Sequence, residues 1–190
     1  MLHTLYVGGA SSGKSLCAER CTLTLARPCL YVATLRESFF DDETRLRVAR
    51  HKDRRGSEWL SVEAGADLAL ALALHPEARA VLLDSVGTWI SGILWDTQGQ
   101  GTEKSGNARV ALDAVLERLE GVARFLQESS RPVVVVSEEV GLGLVPTDPL
   151  ARMFTEILGR ANQLLAGIAQ RVIFVSCGLE LVLKNTGKTR

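Results

Sequence analysis

The sequence lacks an excess of charge of either sign. Lys plus Arg and Asp plus Glu each number 22 in 190 residues, so the broad basic surface that neutralises a nucleic-acid backbone is missing, and nucleic acid is not an expected partner. Cysteine is scarce. Cys17, Cys21, Cys29 and Cys177 stand among apolar residues without CxxC spacing or neighbouring histidines, which argues against a zinc site and for small core thiols in a reducing compartment. Cys17 and Cys21 share a helix face at i, i+4, but no disulfide between them is expected. Long apolar runs are absent too: nothing approaches the roughly twenty residues of a membrane span, and no basic leader with a cleavage site precedes the first apolar run. A cytoplasmic protein is the expectation. With 46% hydrophobic residues, residues 1–190 have enough apolar material for a single domain with a full core.

Short apolar runs are what the chain does have: "LYV" at Leu5–Val7, "CLYVAT" at Cys29–Thr34, "AVLLD" at Ala80–Asp84, "PVVVVS" at Pro132–Ser137 and "RVIFVS" at Arg171–Ser176. Each is apolar continuously rather than at alternate positions, the pattern of a strand buried on both faces. Between them apolar residues return every three or four positions over Ser15–Ala26, Asp67–Leu74, Ala108–Gln127 and Pro149–Ala169, which predicts helices. Alternating strands and helices imply an α/β fold with a mostly parallel central sheet flanked by helices. "LELVLK" adds a last strand through a turn at Cys177-Gly178, its direction left open.

Three segments interrupt the alternation. Arg36–Gly56 is dense in both charges and follows the second strand, where open parallel sheets place their ligand crevice; a helix over the nucleotide is expected there. Asp96–Ala108, "DTQGQGTEKSGNA", offers little to bury and reads as a mobile loop, with a substrate lid as the alternative. Ser137–Pro149 joins the carboxylate pair Glu138 and Glu139 to two glycines and two prolines and is placed to meet ligand.

One stretch carries chemistry on its face. "GGASSGKS", Gly8–Ser15, fits G-x-x-x-x-G-K-[ST] and has an apolar strand before it and an amphipathic helix after it. In such a loop Gly8, Gly9, Ala10, Ser11, Ser12 and Gly13 turn backbone N–H groups toward phosphate oxygens, and the helix N-terminus adds its positive end. Lys14 reaches the β and γ phosphates and Ser15 ligates magnesium. Asp84, closing an apolar strand, completes the surroundings of Mg2+ as a Walker B carboxylate, with a helix-capping aspartate as the alternative. The pattern predicts a P-loop NTPase (RecA-like) fold but leaves kinase, hydrolase, motor and switch open.

The rest of the chain narrows this. "GGASSGKS", "YVAT" (Tyr31–Thr34), "DDETRLRVARHK" (Asp41–Lys52), Trp59, Glu63, "VLLD" (Val81–Asp84), "EEVGLGLVP" (Glu138–Pro146) and "FTEILGRANQLLA" (Phe154–Ala166) together resemble the bifunctional adenosylcobinamide kinase and adenosylcobinamide-phosphate guanylyltransferase family of cobalamin biosynthesis. That resemblance implies two transfers: a phosphoryl group from ATP or GTP to adenosylcobinamide, then GMP from GTP to adenosylcobinamide phosphate through a guanylylated histidine. Matched by position, the histidine is His51. It further implies that Ala33, Thr34 and Leu35 line the nucleotide, that Lys52, Asp53, Arg54 and Arg55 follow the nucleophile, that Glu63 and Asp84 contact GTP, and that the protein is a homotrimer.

The chemistry is coherent residue by residue. A neutral imidazole is a good nucleophile near pH 7 and neighbouring cations oppose its protonation. Lys52, Arg54 and Arg55 can stabilise developing phosphate charge. Glu63 can accept from guanine N1 and N2, which adenine does not offer. His3 and His75 have no comparable setting and read as structural. Three positions depart from the family pattern: Ser11 stands where Arg is frequent, Glu138 where Asn is usual, replacing an amide that donates by a carboxylate that does not, and Glu180, a peripheral position, where Pro is common. A P-loop kinase or NTPase acting on another small metabolite, and a nucleotide-dependent protein-binding switch, are the competing readings.

Overall fold

Continuous apolar runs become strands here because both faces of the sheet are covered. The computed structural model describes residues 3–35, 49, 55–64, 68–98 and 108–187. Its strands are β1 (Thr4–Gly8), β2 (Cys29–Ala33), β3 (Trp59–Glu63), β4 (Ala80–Asp84), β5 (Val133–Glu138), β6 (Arg171–Ser176) and β7 (Leu179–Asn185). They form one sheet in the order β3-β2-β4-β5-β1-β6-β7. All pairs are parallel except β6 with β7.

Alternate strand residues feed two cores. Leu5, Val7, Leu30, Val32, Val81, Leu83, Val133 and Val135 point to one face, where they meet α2 (Leu68–Ala73), α3 (Val86–Gln98), α4 (Ala108–Glu128) and α5 (Pro149–Ile168). Tyr6, Tyr31, Leu82, Val134, Val136, Ile173 and Val175 point to the other, against Cys17 and Ala18 of α1 (Lys14–Leu25). Helix α5 starts sharply because Asp148 accepts from Ala151 N at 2.8 Å and Pro149 fills the first turn, where no N–H is needed. Among the described residues no helix is long and apolar enough to cross a membrane.

Outside Arg36–Gly56 the expected strands and helices are present within a residue or two at their ends. Two elements were not expected. β3 is an edge strand, half-exposed along its length, and "WLSVE" is too mixed to show a buried run. Helix α3 is apolar around most of its circumference, so no 3.6-residue stripe marks it. It extends to Gln98, so Asp96–Gln98 are helical and not loop, and Ala108 already belongs to α4; residues 99–107 lie outside the described residues. The Arg36–Gly56 segment, with its expected helix, lies outside them except at Ala49, Arg55 and Gly56. β7 runs antiparallel because Cys177 and Gly178 both take positive φ, 53° and 76°, the geometry of a two-residue hairpin turn.

His3 lies just before β1. Its buried ring accepts from Val133 N at 3.3 Å, and burial lowers its pKa, consistent with a structural neutral imidazole. Cys17 and Cys29 are buried thiols, but Cys177, on the hairpin turn, is exposed rather than in the core.

Candidate functional site

The parallel register lines up one sheet edge. Gly8 pairs with Glu138, while Ala33 pairs with Glu63 on one side and Asp84 on the other. Four strand ends thus present a glycine loop and three carboxylates at their C-terminal rim, where open α/β sheets bind ligands.

The Gly8–Ser15 loop is fixed from below and from the side. A Cβ on Gly8 would lie 2.4 Å from Val175 O and 2.7 Å from Ser12 Oγ, so only glycine fits between β1 and β6. Gly13 stands before α1 at φ 92°, a conformation that favours glycine, and its amide-bearing turn touches the hairpin, where Gly178 N donates to Ser12 O at 2.8 Å. Glu139 N donates to Gly8 O at 3.0 Å. Ser12 Oγ is buried without a hydrogen-bond partner among the described residues. Ala10 and Ser11 form the exposed crest, and no acidic residue in the first turn of α1 opposes an anion at its N-terminus.

Lys14 is the buried cation of the site, 8% exposed. Its Nζ donates to Gly9 O at 3.2 Å and lies 4.0 Å from Glu138 Oε1. Ser15 Oγ donates to Asp84 Oδ1 at 3.3 Å, and Tyr31 OH donates to Asp84 Oδ2 at 2.9 Å. Burial, and then the Asp84 charge, push the Tyr31 phenol well above its ordinary range, so it stays protonated and donates. A hydroxyl and a carboxylate side by side below a phosphate loop are the hard oxygen donors that suit magnesium, which takes one or two protein carboxylates or hydroxyls beside phosphate and water oxygens.

Glu138 is held by a different set. Its Oε1 accepts from Ser85 Oγ at 2.6 Å and its Oε2 from Gly87 N at 2.9 Å, at the start of α3. Its carbonyl accepts from Asn162 Nδ2 on α5 at 2.9 Å, and Asn162 Oδ1 in turn accepts from Ser137 Oγ. Thr34 is buried, and its hydroxyl bridges the backbone N–H and carbonyl of Ser85 at 2.8 and 2.7 Å while contacting Thr88 Oγ1. It therefore braces the turn that follows Asp84.

Of the other residues singled out by sequence, Ala33 and Leu35 are half-buried beside this rim, and Glu63 is exposed at its far end. Arg55 stacks over the Tyr31 ring, 3.6 Å from the centroid, and donates to Ser61 Oγ at 3.4 Å. His51, Lys52, Asp53 and Arg54 lie outside the described residues. Sequence reasoning missed Tyr31, Ser85, Gly87 and Asn162 as parts of the site. Tyr31 and Asn162 sat in stretches already singled out, but Ser85 and Gly87 carried no local signal, since their partner is more than 50 residues away.

Comparison with known proteins bears on the whole chain. The family model described as cobinamide kinase / cobinamide phosphate guanyltransferase matches residues 4–183. The bifunctional adenosylcobalamin biosynthesis protein CobU of Salmonella typhimurium is 34% identical over 182 residues, 95% of this chain and 98% of that protein. The bifunctional adenosylcobalamin biosynthesis protein CobP of Pseudomonas aeruginosa is 33% identical over 187 residues, 97% of this chain and 98% of that protein. Two solved structures share the fold at low identity. A Pyrococcus horikoshii OT3 protein superposes with a TM-score of 0.55 at 9% identity, over 98% of this chain and 88% of that one. The ATPase EscN of the enteropathogenic E. coli type III secretion system superposes at 0.54 and 10% identity, over 93% of this chain and 43% of that one. Together with the loop and the strand order, the latter identifies the fold as that of the P-loop NTPases.

Proposed function

The chain belongs to the cobinamide kinase / cobinamide phosphate guanyltransferase family, and we propose on that premise how its own residues divide the two reactions. The single observation that carries the reading is the Gly8–Ser15 loop with Asp84 at hydrogen-bond distance of Ser15, inside a family match spanning nearly the whole chain. The loop N–H groups and Lys14 grip the β and γ phosphates of ATP or GTP. Ser15 and Asp84 would hold magnesium, which when bound offsets charge on the phosphate oxygens.

In the first reaction the side-chain hydroxyl of adenosylcobinamide attacks the γ-phosphorus and a nucleoside diphosphate leaves. In the second, His51 attacks the α-phosphorus of GTP, a P–N bond forms and pyrophosphate leaves. The phosphate of adenosylcobinamide phosphate then displaces His51 to give adenosylcobinamide-GDP. Lys52, Asp53, Arg54 and Arg55 follow that nucleophile in the sequence, Ala33, Thr34 and Leu35 border the nucleotide, and Glu63 reads guanine. The protein is a cytoplasmic homotrimer acting as a single domain over residues 1–190, and light scattering reads the oligomer.

Incubation with GTP and magnesium, followed by intact mass spectrometry, tests the assignment. Wild type gains one GMP and releases pyrophosphate, and His51→Ala gains none. An adduct retained by His51→Ala, or GDP as the sole product without an adduct, removes His51 from the mechanism.

A further inference from the structure

We propose that, within the guanylyl transfer inferred above and resting on that reading, Glu19 is a positioning residue that joins the Tyr31 ring in seating the Arg55 guanidinium, and that this seat serves guanylyl transfer and not phosphoryl transfer. The position comes first. Glu19 stands on α1 one turn after Ser15, so the two share a helix face. Ser15 Oγ reaches Asp84, and Tyr31 OH reaches the same carboxylate from β2. The face of α1 that carries Glu19 is thus the face that meets Asp84 and Tyr31.

Glu19 is buried, with 6% of its surface exposed. A carboxylate that deep in the fold is retained where a cation compensates it, and Tyr31 marks the cation. The Arg55 guanidinium lies over the face of the Tyr31 ring, 3.6 Å from its centroid, and its Nη1 donates to Ser61 Oγ on β3 at 3.4 Å. Burial first, and the Asp84 charge next, hold the Tyr31 phenol above its ordinary range; Arg55 opposes them and Glu19 adds to them. Glu19 and Arg55, opposite in charge, therefore stand within electrostatic range of one ring.

The two parts of Tyr31 separate the two reactions. Its hydroxyl is committed to Asp84, on the grip that both transfers use, while its ring face carries Arg55. Arg55 follows His51 by four residues, so the seat keeps the Cα of the nucleophile within about 14 Å of a fixed point. Attack on the α-phosphorus needs that nucleophile in line, and a looser anchor lowers the fraction of time in which it is aligned. Attack on the γ-phosphorus uses a substrate hydroxyl and the Gly8–Ser15 loop, and neither is held by Arg55. Glu19 itself forms no bond to the reacting atoms; it acts through the arginine.

Glu19→Gln keeps the volume and removes the charge, and Glu19→Asp keeps the charge on a shorter arm. With GTP and magnesium, the rate at which Glu19→Gln gains GMP, followed by intact mass spectrometry, is expected to fall about ten- to a hundredfold. Its kcat and nucleotide KM for phosphorylation of adenosylcobinamide are expected to change less than about threefold. Glu19→Asp is expected to lose clearly less of the adduct rate, and in an Arg55→Met background Glu19→Gln is expected to add no further loss. A Gln variant that gains GMP at the wild-type rate overturns the proposal. So does an equal loss in both reactions or in Gln and Asp alike, which would make Glu19 packing, or a full further loss in the Arg55→Met background, which would give it a different partner. Arg55→Met alone is expected to show the same split between the reactions, and a loss shared by both overturns the seat even where Glu19→Gln does not fold. Wild type that gains no GMP removes the guanylyl-transfer reading and this role with it, whereas wild type that gains GMP beside an equally fast Gln variant removes this role alone.

Discussion

Asp84 and Glu138 end neighbouring parallel strands and face the same loop, yet each is held by different parts of the fold. Asp84 is bound from the α1 side, by Ser15 one residue into the helix and by Tyr31 from β2. Glu138 is bound from the opposite side, by the first turn of α3 and by α5. By the alternation of side chains along a strand both carboxylates continue the residues that face α1, Leu82 for Asp84 and Val134 and Val136 for Glu138, so Glu138 meets the first turn of α3 because it stands at its strand end, where that helix begins. One rim thereby carries two carboxylates with independent supports. One is tied to the hydroxyl beside the phosphate loop, and the other stands beside Lys14.

The largest expected effect comes from removing the charge on the α1 side. Asp84→Asn keeps the side-chain volume but loses the anion beside Ser15, and both transfers use that grip. Phosphoryl and guanylyl transfer are each expected to fall about 10²–10³-fold, the cost of losing several kcal/mol of transition-state charge stabilisation. Steady-state rates for both products check it. A loss in only one reaction would show that the two sides are not divided as described.

A smaller and more selective effect is expected on the other side. A Cβ on Gly87 would lie 2.1 Å from Glu138 Oε2, so Gly87→Ala must push the carboxylate away. The displaced atom is the end of a flexible side chain and alanine suits a helix better than glycine, so stability should change by no more than about 1 kcal/mol. Phosphorylation of adenosylcobinamide should nevertheless drop severalfold, because the carboxylate 4.0 Å from Lys14 Nζ has to move. A thermal melt run beside the rate assay separates the two. Unchanged turnover would mean that the position of the Glu138 carboxylate does not matter to the reaction.

How much of this was legible beforehand follows the same division. The loop, Lys14, Ser15 and Asp84 were readable because their chemistry needs fixed residue types at fixed spacing, between a continuous apolar strand and a helix. The five buried strands were readable because each is apolar on both faces. β3 was not, since an edge strand with half-exposed residues has no such run, and α3 was not, since a helix apolar nearly all round has no stripe. Glu138 was visible only as a carboxylate in place of an amide. Its meaning lay in Ser85 and Gly87, which approach it only when β4 and β5 pair and α3 starts at their rim. Contacts made by strand order leave no mark in local sequence, whereas contacts made by a tight loop do.

The smallest expected effect tests how far the α1 side depends on its outer support. Tyr31→Phe removes the donor to Asp84 Oδ2 but keeps the ring between Trp59, in edge contact at 6.1 Å, and the Arg55 guanidinium. Loss of that hydrogen bond should cost on the order of 1 kcal/mol of stability. Asp84 would keep its charge and its contact with Ser15, so both transfers should slow only severalfold, with the half-saturating magnesium concentration rising by no more than about tenfold. Magnesium titrations of both rates provide the measurement. If Tyr31→Phe instead matched Asp84→Asn, the aspartate would depend on its phenol partner for its orientation, and the α1 side would be a three-residue unit of Ser15, Asp84 and Tyr31. Arg55, stacked on that phenol, would then connect this unit physically to the segment that carries His51.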